Sequence, residues 1–238
     1  MTPKAVQFVS LGPGDPELIT LQSLHALQSA DCIFCPATLC RERGWLSRSA
    51  DILRQLHIPE EAIRPFLLPM QKERTAAWSA YEEVYGQVRQ LYEAGRRVCV
   101  VAEGDAGLYS SIHYVLERLQ ADGIPVLQLA GVPAFVASGA RAALHLVSQE
   151  ERLVVCPGNA TADELERFTA DAYTVVVMKL PQCADEVKRF LAASPCVDVH
   201  YFEHTGMADE CYLTDPYRIC ERHFPYFSLL IVKSQNRN

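Results

Sequence analysis

Apolar and polar positions change period in a regular order along the chain. Residues 5–11 form an apolar run of strand length that enters Gly12-Pro-Gly-Asp-Pro16, a turn built of backbone specialists. Asp15 is placed to cap a helix whose first position is Pro16. Leu18, Leu21, Leu24 and Leu27 continue that helix at helical spacing to about Ala30. Residues 31–35 read as the next strand, so the opening is strand, helix, strand. Pro59, Pro65 and Pro69 make 41–69 irregular, apart from a short helix over 49–56. A stronger helix is predicted over 75–94, where Trp78, Tyr81, Tyr85, Val88 and Tyr92 recur every three or four residues before Gly95. A strand at 97–102, a helix at 109–120, a strand at 125–129 and an Ala-rich helix ending near Leu146 follow.

This alternation predicts a mostly parallel sheet covered on both faces. The second half changes character. Strands at 152–156, 173–179, 197–202 and 226–233, helices at 162–170 and 183–193 and a hairpin-like piece at 211–213 predict a smaller mixed sheet. The expected architecture is α/β, with two α/β domains at 1–130 and 131–238. A length of 238 residues accommodates both.

Hydrophobic residues at 49% and charged residues at 21% exclude a disordered chain. No apolar stretch approaches the roughly 20 residues a membrane helix needs, and the opening Met-Thr-Pro-Lys is not a signal peptide. A cytoplasmic protein without a membrane partner is expected. A formal charge of −7 leaves no basic excess for nucleic acid. The nine cysteines read as reduced thiols. Cys32-x2-Cys35-x4-Cys40 is one ligand short of a structural zinc site and reads as packing. A metal- or redox-sensing protein built on these cysteines is the alternative from another class. No protein-bound metal is expected.

Three glycine turns, at 12–16, 104–107 and 131–134, each follow a predicted strand, and in an open parallel sheet such ends form a ligand crevice. None is a Walker A or a Gly-x-Gly-x-x-Gly phosphate loop, and no Ser-His-Asp order, HExxH or EF-hand spacing occurs. Asp105 reads either as a helix cap or as a carboxylate that accepts a proton at the sheet edge.

Val9-Ser-Leu-Gly-Pro-Gly-Asp-Pro16 with Ala30-Asp-x-Ile-x-x-Pro36, followed by Glu103-Gly-Asp-Ala-Gly-Leu-Tyr-Ser-Ser111 and Gly131-Val-Pro-Ala-Phe135, resembles the tetrapyrrole (corrin/porphyrin) methyltransferases over about residues 6–232. The Tyr-Ser-Ser ending and Pro225-Tyr-Phe-Ser-Leu-Leu-Ile-Val232 are most similar to the branch that methylates C20 of precorrin-2 or cobalt-factor II in cobalamin (vitamin B12) biosynthesis. Another corrin-ring or diphthine-type methyltransferase on the same scaffold is the nearest rival. The resemblance implies S-adenosyl-L-methionine in the cleft between two domains, S-adenosyl-L-homocysteine as product, and a homodimer. By motif position the cofactor contacts are Pro13, Gly104, Asp105, Ala106, Tyr109, Pro133, Ala134 and Met178, with Thr205 and Ser228 at later positions.

Two residues depart from the family pattern. Ala106 stands where Pro is usual, and Ala130 precedes Gly131 where Pro is usual, so both loops lose a fixed φ. The proton at C20 must pass to a base or to water; Asp105 is the expected protein base, with Tyr109 and Tyr226 as candidates for substrate positioning. A base role predicts that Asp105→Ala keeps cofactor binding and slows transfer. Arg41, Arg43, Arg48, Arg74 and Lys179 are the cations available to an acidic ring. His25, His113, His145 and His204 are the candidate axial groups, with nothing in the sequence to choose among them.

Overall fold

The computed structural model describes residues 5–40, 44–68 and 74–233. Its backbone divides into two units, 1–133 and 134–238. The first contains β1 (Val6–Ser10), α1 (Leu21–Ser29), β2 (Cys32–Cys40), β3 (Gly44–Leu46), α2 (Arg48–Gln55), β4 (Ile63–Leu67), α3 (Arg74–Glu93), β5 (Val98–Ala102), α4 (His113–Ala121) and β6 (Val126–Leu129). The sheet order is β3-β2-β5-β1-β6, with β4 also paired to β2. Every pairing is parallel except β2 with β3.

Side chains alternate across this sheet because successive strand residues face opposite ways. Val6, Phe8, Cys32, Phe34 and Val100 pack with α3 and α4 on one face. Val9, Ile33, Cys35 and Val101 pack with α1 and α2 on the other. Cys32 and Cys35 therefore lie on opposite faces, and burial pushes the Cys35 thiol up to about 11. Two thiols divided by a sheet cannot share a metal ion, so Cys32 and Cys35 do not form the pair that the cysteine-cluster alternative needs. Cys40 is in β2, but its side chain lies outside the described residues.

Several elements differ from expectation for local reasons. The helix expected from Pro16 to Ala30 is two pieces, because two caps occur in series. Asp15 Oδ1 accepts the Glu17 N–H (3.0 Å) over a single 3-10 turn, Pro16–Leu18. Ile19 and Thr20 are then extended, and Thr20 Oγ1 accepts the Ser23 N–H (3.2 Å) to start α1. The buried stripe shifts accordingly: Ser23, Ala26 and Leu27 face the core, while Leu21 is 73% exposed. The helix expected at 109 begins at His113, after a left-handed Tyr109 (φ 53°). β4 was hidden by Pro65, which an edge strand tolerates.

The second unit contains α5 (Ala134–Arg141), β7 (Arg152–Cys156), α6 (Ala162–Ala170), β8 (Tyr173–Met178), α7 (Ala184–Ala193), β9 (Asp198–Glu203), β10 (Cys211–Leu213), α8 (Pro216–Cys220) and β11 (Ser228–Lys233). α5 stops at Arg141, short of the expected Leu146, with Ala143 left-handed two residues on (φ 50°). The order is β10-β9-β11-β8-β7, a mixed sheet in which only β7 and β8 are parallel. Leu165, Val187, Phe190 and Ile219 of the three later helices pack on Val175, Val177, Tyr201 and Leu230.

The segment after α5 is tied down by a buried cation. Lys233 Nζ donates to the Leu146 carbonyl (2.5 Å) and to Thr174 Oγ1 (3.1 Å), and pairs with Glu151 (3.2 Å). Lys233→Met leaves the Glu151 carboxylate without this partner and the carbonyl with Thr174 alone. The expected loss is about 1–3 kcal/mol in urea denaturation; an unchanged midpoint would show that the strap contributes nothing.

Candidate active site

β5, β1 and β6 are adjacent and parallel, so their C-terminal ends deliver three loops side by side. These are the glycine turns singled out in the sequence. Gly12 and Gly104 exchange both backbone hydrogen bonds, N–H to O at 3.1 and 2.7 Å. Both have positive φ, 77° and 70°, which glycine adopts without Cβ strain.

Ser10, the fully buried last residue of β1, joins the loops on the inside. Its hydroxyl donates to the Leu129 carbonyl (2.6 Å) and accepts the Ala106 N–H (2.8 Å). A proline at 106 has no N–H to give. The departure Ala106 therefore exchanges a fixed φ for a hydrogen bond that fastens the loop to β1. Among the described residues no corresponding hydrogen bond is donated by the Ala130 N–H.

Asp105 closes the arrangement. Its Oδ1 accepts the Gly107 N–H (2.8 Å) and its Oδ2 accepts the Gly131 N–H (2.7 Å), which links the second loop to the third. Gly131 has no room for a side chain: a Cβ there would overlap Ser10 Cβ and lie 2.9 Å from the Gly104 carbonyl oxygen. At Gly104, by contrast, a Cβ would meet nothing within 4 Å, so the loop leaves open space beside its backbone.

Below the loops, Arg48 Nη2 donates to the Pro13 carbonyl (3.0 Å), and Ser49 donates to Glu103 (2.9 Å). Burial raises the Glu103 pKa, opposed by the nearby Arg48 guanidinium and the Ser49 bonds. Arg48, one of the expected substrate cations, is thus engaged with the first loop. Arg41 and Arg43 lie outside the described residues, as does the Arg74 side chain.

The remaining expected residues lie at strand and helix ends of the second unit. Met178 ends β8, paired with Leu229 of β11, and Lys179 follows in left-handed backbone (φ 57°). Ala134 opens α5, one turn before Ser138, whose hydroxyl pairs with Thr205 Oγ1 at 2.8 Å just past β9. Ser228, at the start of β11, donates to the Pro225 carbonyl (2.6 Å). Tyr226 is exposed and sits edge-on to Phe227. Pro133 ends the first unit.

Backbone strain falls on the same places. Among the described residues, six non-glycine residues have positive φ. His57, Ala143 and Ala172 each lie two residues past a helix end, where such turns commonly close helices. The other three, Tyr109, Lys179 and His204, lie beyond β5, β8 and β9. Strained backbone of this kind clusters at functional sites.

Ser10, Glu103 and Ser138 were not singled out from sequence. The available signal was a polar residue inside an apolar run, which says that a partner exists but not which one.

The family model for tetrapyrrole (corrin/porphyrin) methylases matches residues 5–218. The precorrin-2 C(20)-methyltransferase of a Sinorhizobium species is 30% identical over 235 residues, covering 94% of this chain and 93% of that protein. The cobalt-precorrin-2 C(20)-methyltransferase of Salmonella typhimurium is 28% identical over 231 residues, 95% of each chain. The structure of a uroporphyrin-III C-methyl transferase from Thermus thermophilus, complexed with S-adenyl homocysteine, matches with a TM-score of 0.67 at 19% identity, over 96% of this chain and 92% of that one. Loop motifs, two-sheet fold and whole-length similarity agree: the chain is a methyltransferase and belongs to the tetrapyrrole (corrin/porphyrin) methylase family.

Proposed function

We propose that this enzyme transfers a methyl group from S-adenosyl-L-methionine to C20 of precorrin-2 or its cobalt-bearing counterpart in cobalamin biosynthesis. The observation that carries the reading is that relatives named for C20 methylation, one on each form of the ring, align over more than nine-tenths of the chain. The site supports it with an open-faced backbone at Gly104 and three loops fastened by Ser10 and Asp105.

In this reading Pro13, Gly104, Asp105, Ala106 and Tyr109 hold the cofactor from the first domain. Pro133, Ala134, Met178, Thr205 and Ser228 complete its contacts. When bound, the cofactor supplies a methyl group on a sulfonium, which needs no metal to be electrophilic. The protein holds the acceptor carbon in line with it, a positioning effect that reaches about 7–11 kcal/mol in favourable cases. Exposed Tyr109 and Tyr226 position the ring, and Lys179 and Arg48 with Arg41, Arg43 and Arg74 offset its carboxylates. In this reading Asp105 is assigned to holding the loops, since both its oxygens accept backbone N–H bonds from them. A cytoplasmic homodimer completes the proposal. Among the described residues no helix is long and apolar enough to cross a membrane.

The test is incubation with S-adenosyl-L-methionine and, in parallel, precorrin-2 and its cobalt form, followed by mass spectrometry. One added methyl, located at C20 by NMR, is expected with at least one ring. Cofactor binding without methylation of either ring would redirect the enzyme to another acceptor.

A further inference from the structure

Of the three left-handed residues beyond β5, β8 and β9, Tyr109 and Lys179 already have a cofactor or substrate role in the reading above, and His204 has none. Its left-handed backbone (φ 50°) follows β9 directly, and its N–H donates to the Phe227 carbonyl (2.8 Å). The Phe227 ring stands edge-on to the imidazole at 6.4 Å between centroids. Asp209 Oδ2 lies 2.7 Å from His204 Nδ1. Nε2 makes no hydrogen bond among the described residues, and the side chain is about one-quarter exposed. The next residue, Thr205, is a proposed cofactor contact anchored on Ser138.

We propose that His204, oriented by Asp209, takes up the proton that the methylated ring carbon must lose; this rests on the methyltransferase reading above. The Asp209 carboxylate 2.7 Å from Nδ1 electrostatically favours the proton on that nitrogen, which leaves the lone pair on Nε2, and the same charge stabilises the imidazolium once Nε2 is protonated. Asp105, the candidate from sequence, has its oxygens occupied by Gly107 and Gly131.

The step balances without an oxidant. The ring carbon's electron pair forms the new C–C bond as the S–CH3 pair returns to sulfur. The C–H pair then returns to the ring as the proton passes to Nε2. The charged groups around His204 are Asp209 on its own loop and, from β9 and the segment after α8, the Glu203–Arg222 pair.

The variants are His204→Asn, which tolerates left-handed backbone, and Asp209→Asn, which keeps the imidazole but removes the charge that sets its tautomer. In 15N-histidine NMR of the substrate-free enzyme, His204 Nε2 is expected to be unprotonated, with the tautomer shifting in Asp209→Asn. In turnover, His204→Asn is expected to lower kcat by about 10²–10⁴-fold, the usual contribution of a general base. Cofactor Kd should be unchanged, and added imidazole should restore part of the rate. Wild-type turnover by His204→Asn would overturn the proposal. So would a protonated Nε2 in the neutral wild-type enzyme. If the wild type binds cofactor yet methylates neither ring, the methyltransferase reading of its substrate fails first and this inference falls with it.

Discussion

Gly131→Ala is expected to weaken S-adenosyl-L-methionine binding by about 30-fold or more. The added methyl overlaps Ser10 Cβ and approaches the Gly104 carbonyl to 2.9 Å, and neither is the free end of a flexible side chain. Relief requires the third loop to move away from β1, which stretches the 2.7 Å bond from Gly131 N–H to Asp105. Overpacking costs about 1–3 kcal/mol, and a hydrogen bond to a charged group contributes about 1.5–3 kcal/mol. If only about 2 kcal/mol of this falls on the binding-competent arrangement, affinity drops about 30-fold, since 1.4 kcal/mol is tenfold.

Asp105→Asn is the companion variant. Its amide offers one acceptor where two are used, so either the Gly107 or the Gly131 bond is lost, and cofactor Kd should rise in the same direction. Titration calorimetry reads both. An Asp105→Asn enzyme with wild-type Kd and depressed kcat would return Asp105 to the role of base, the outcome the sequence alone led us to expect.

The two roles open to Asp105 mark where sequence is informative and where it stops. The order of strands and helices was legible because apolar spacing reports burial directly: 152–156, 162–170 and 211–213 coincide with β7, α6 and β10. Boundaries failed where two local signals competed. Asp15 and Thr20 both cap, and the chain uses each over a different turn. The loops were legible as glycine turns after strands, but not as one fastened assembly. Ser10, Ala106 and Gly131 are brought together only by the neighbouring positions of β1, β5 and β6, a long-range pairing that no local pattern contains. The same limit applied to histidine. Four were candidates, and what separates His204 is the Asp209 carboxylate 2.7 Å from its Nδ1 and its left-handed backbone.

Arg222→Ala is expected to destabilise the second unit by about 2–3 kcal/mol at neutral pH, with a dependence on pH opposite to that of the wild type. Glu203, only 5% exposed at the end of β9, accepts from Tyr201 (2.5 Å) and from Arg222 Nε and Nη2 (2.9 and 2.6 Å). Burial pushes its carboxyl pKa up, but the bonds from Arg222 and Tyr201 outweigh this and hold it below the usual value. A depressed folded-state pKa contributes stability above the unfolded value of about 4.3, lost as pH falls through the folded pKa. Without Arg222 the burial effect is left opposed mainly by Tyr201, and the carboxyl pKa rises above the unfolded value. The variant then gains stability as pH falls from 7 towards about 5, because its native state takes up the proton first.

Breaking a buried pair commonly costs about 3–5 kcal/mol. The smaller figure follows from Arg222 itself, whose side chain is nearly half exposed and whose charge is partly screened. Urea denaturation at pH 7 and at about pH 5 measures both features. Glu203→Gln in the Arg222→Ala background should recover part of the loss, since it removes the charge left unpaired. A loss that stays constant with pH would mean that Arg222 acts by packing rather than by charge. Because His204 and Thr205 directly follow Glu203, the same variant also bears on the site: if the ion pair fixes the end of β9, cofactor affinity falls with stability at pH 7 and recovers with it as Glu203 is protonated.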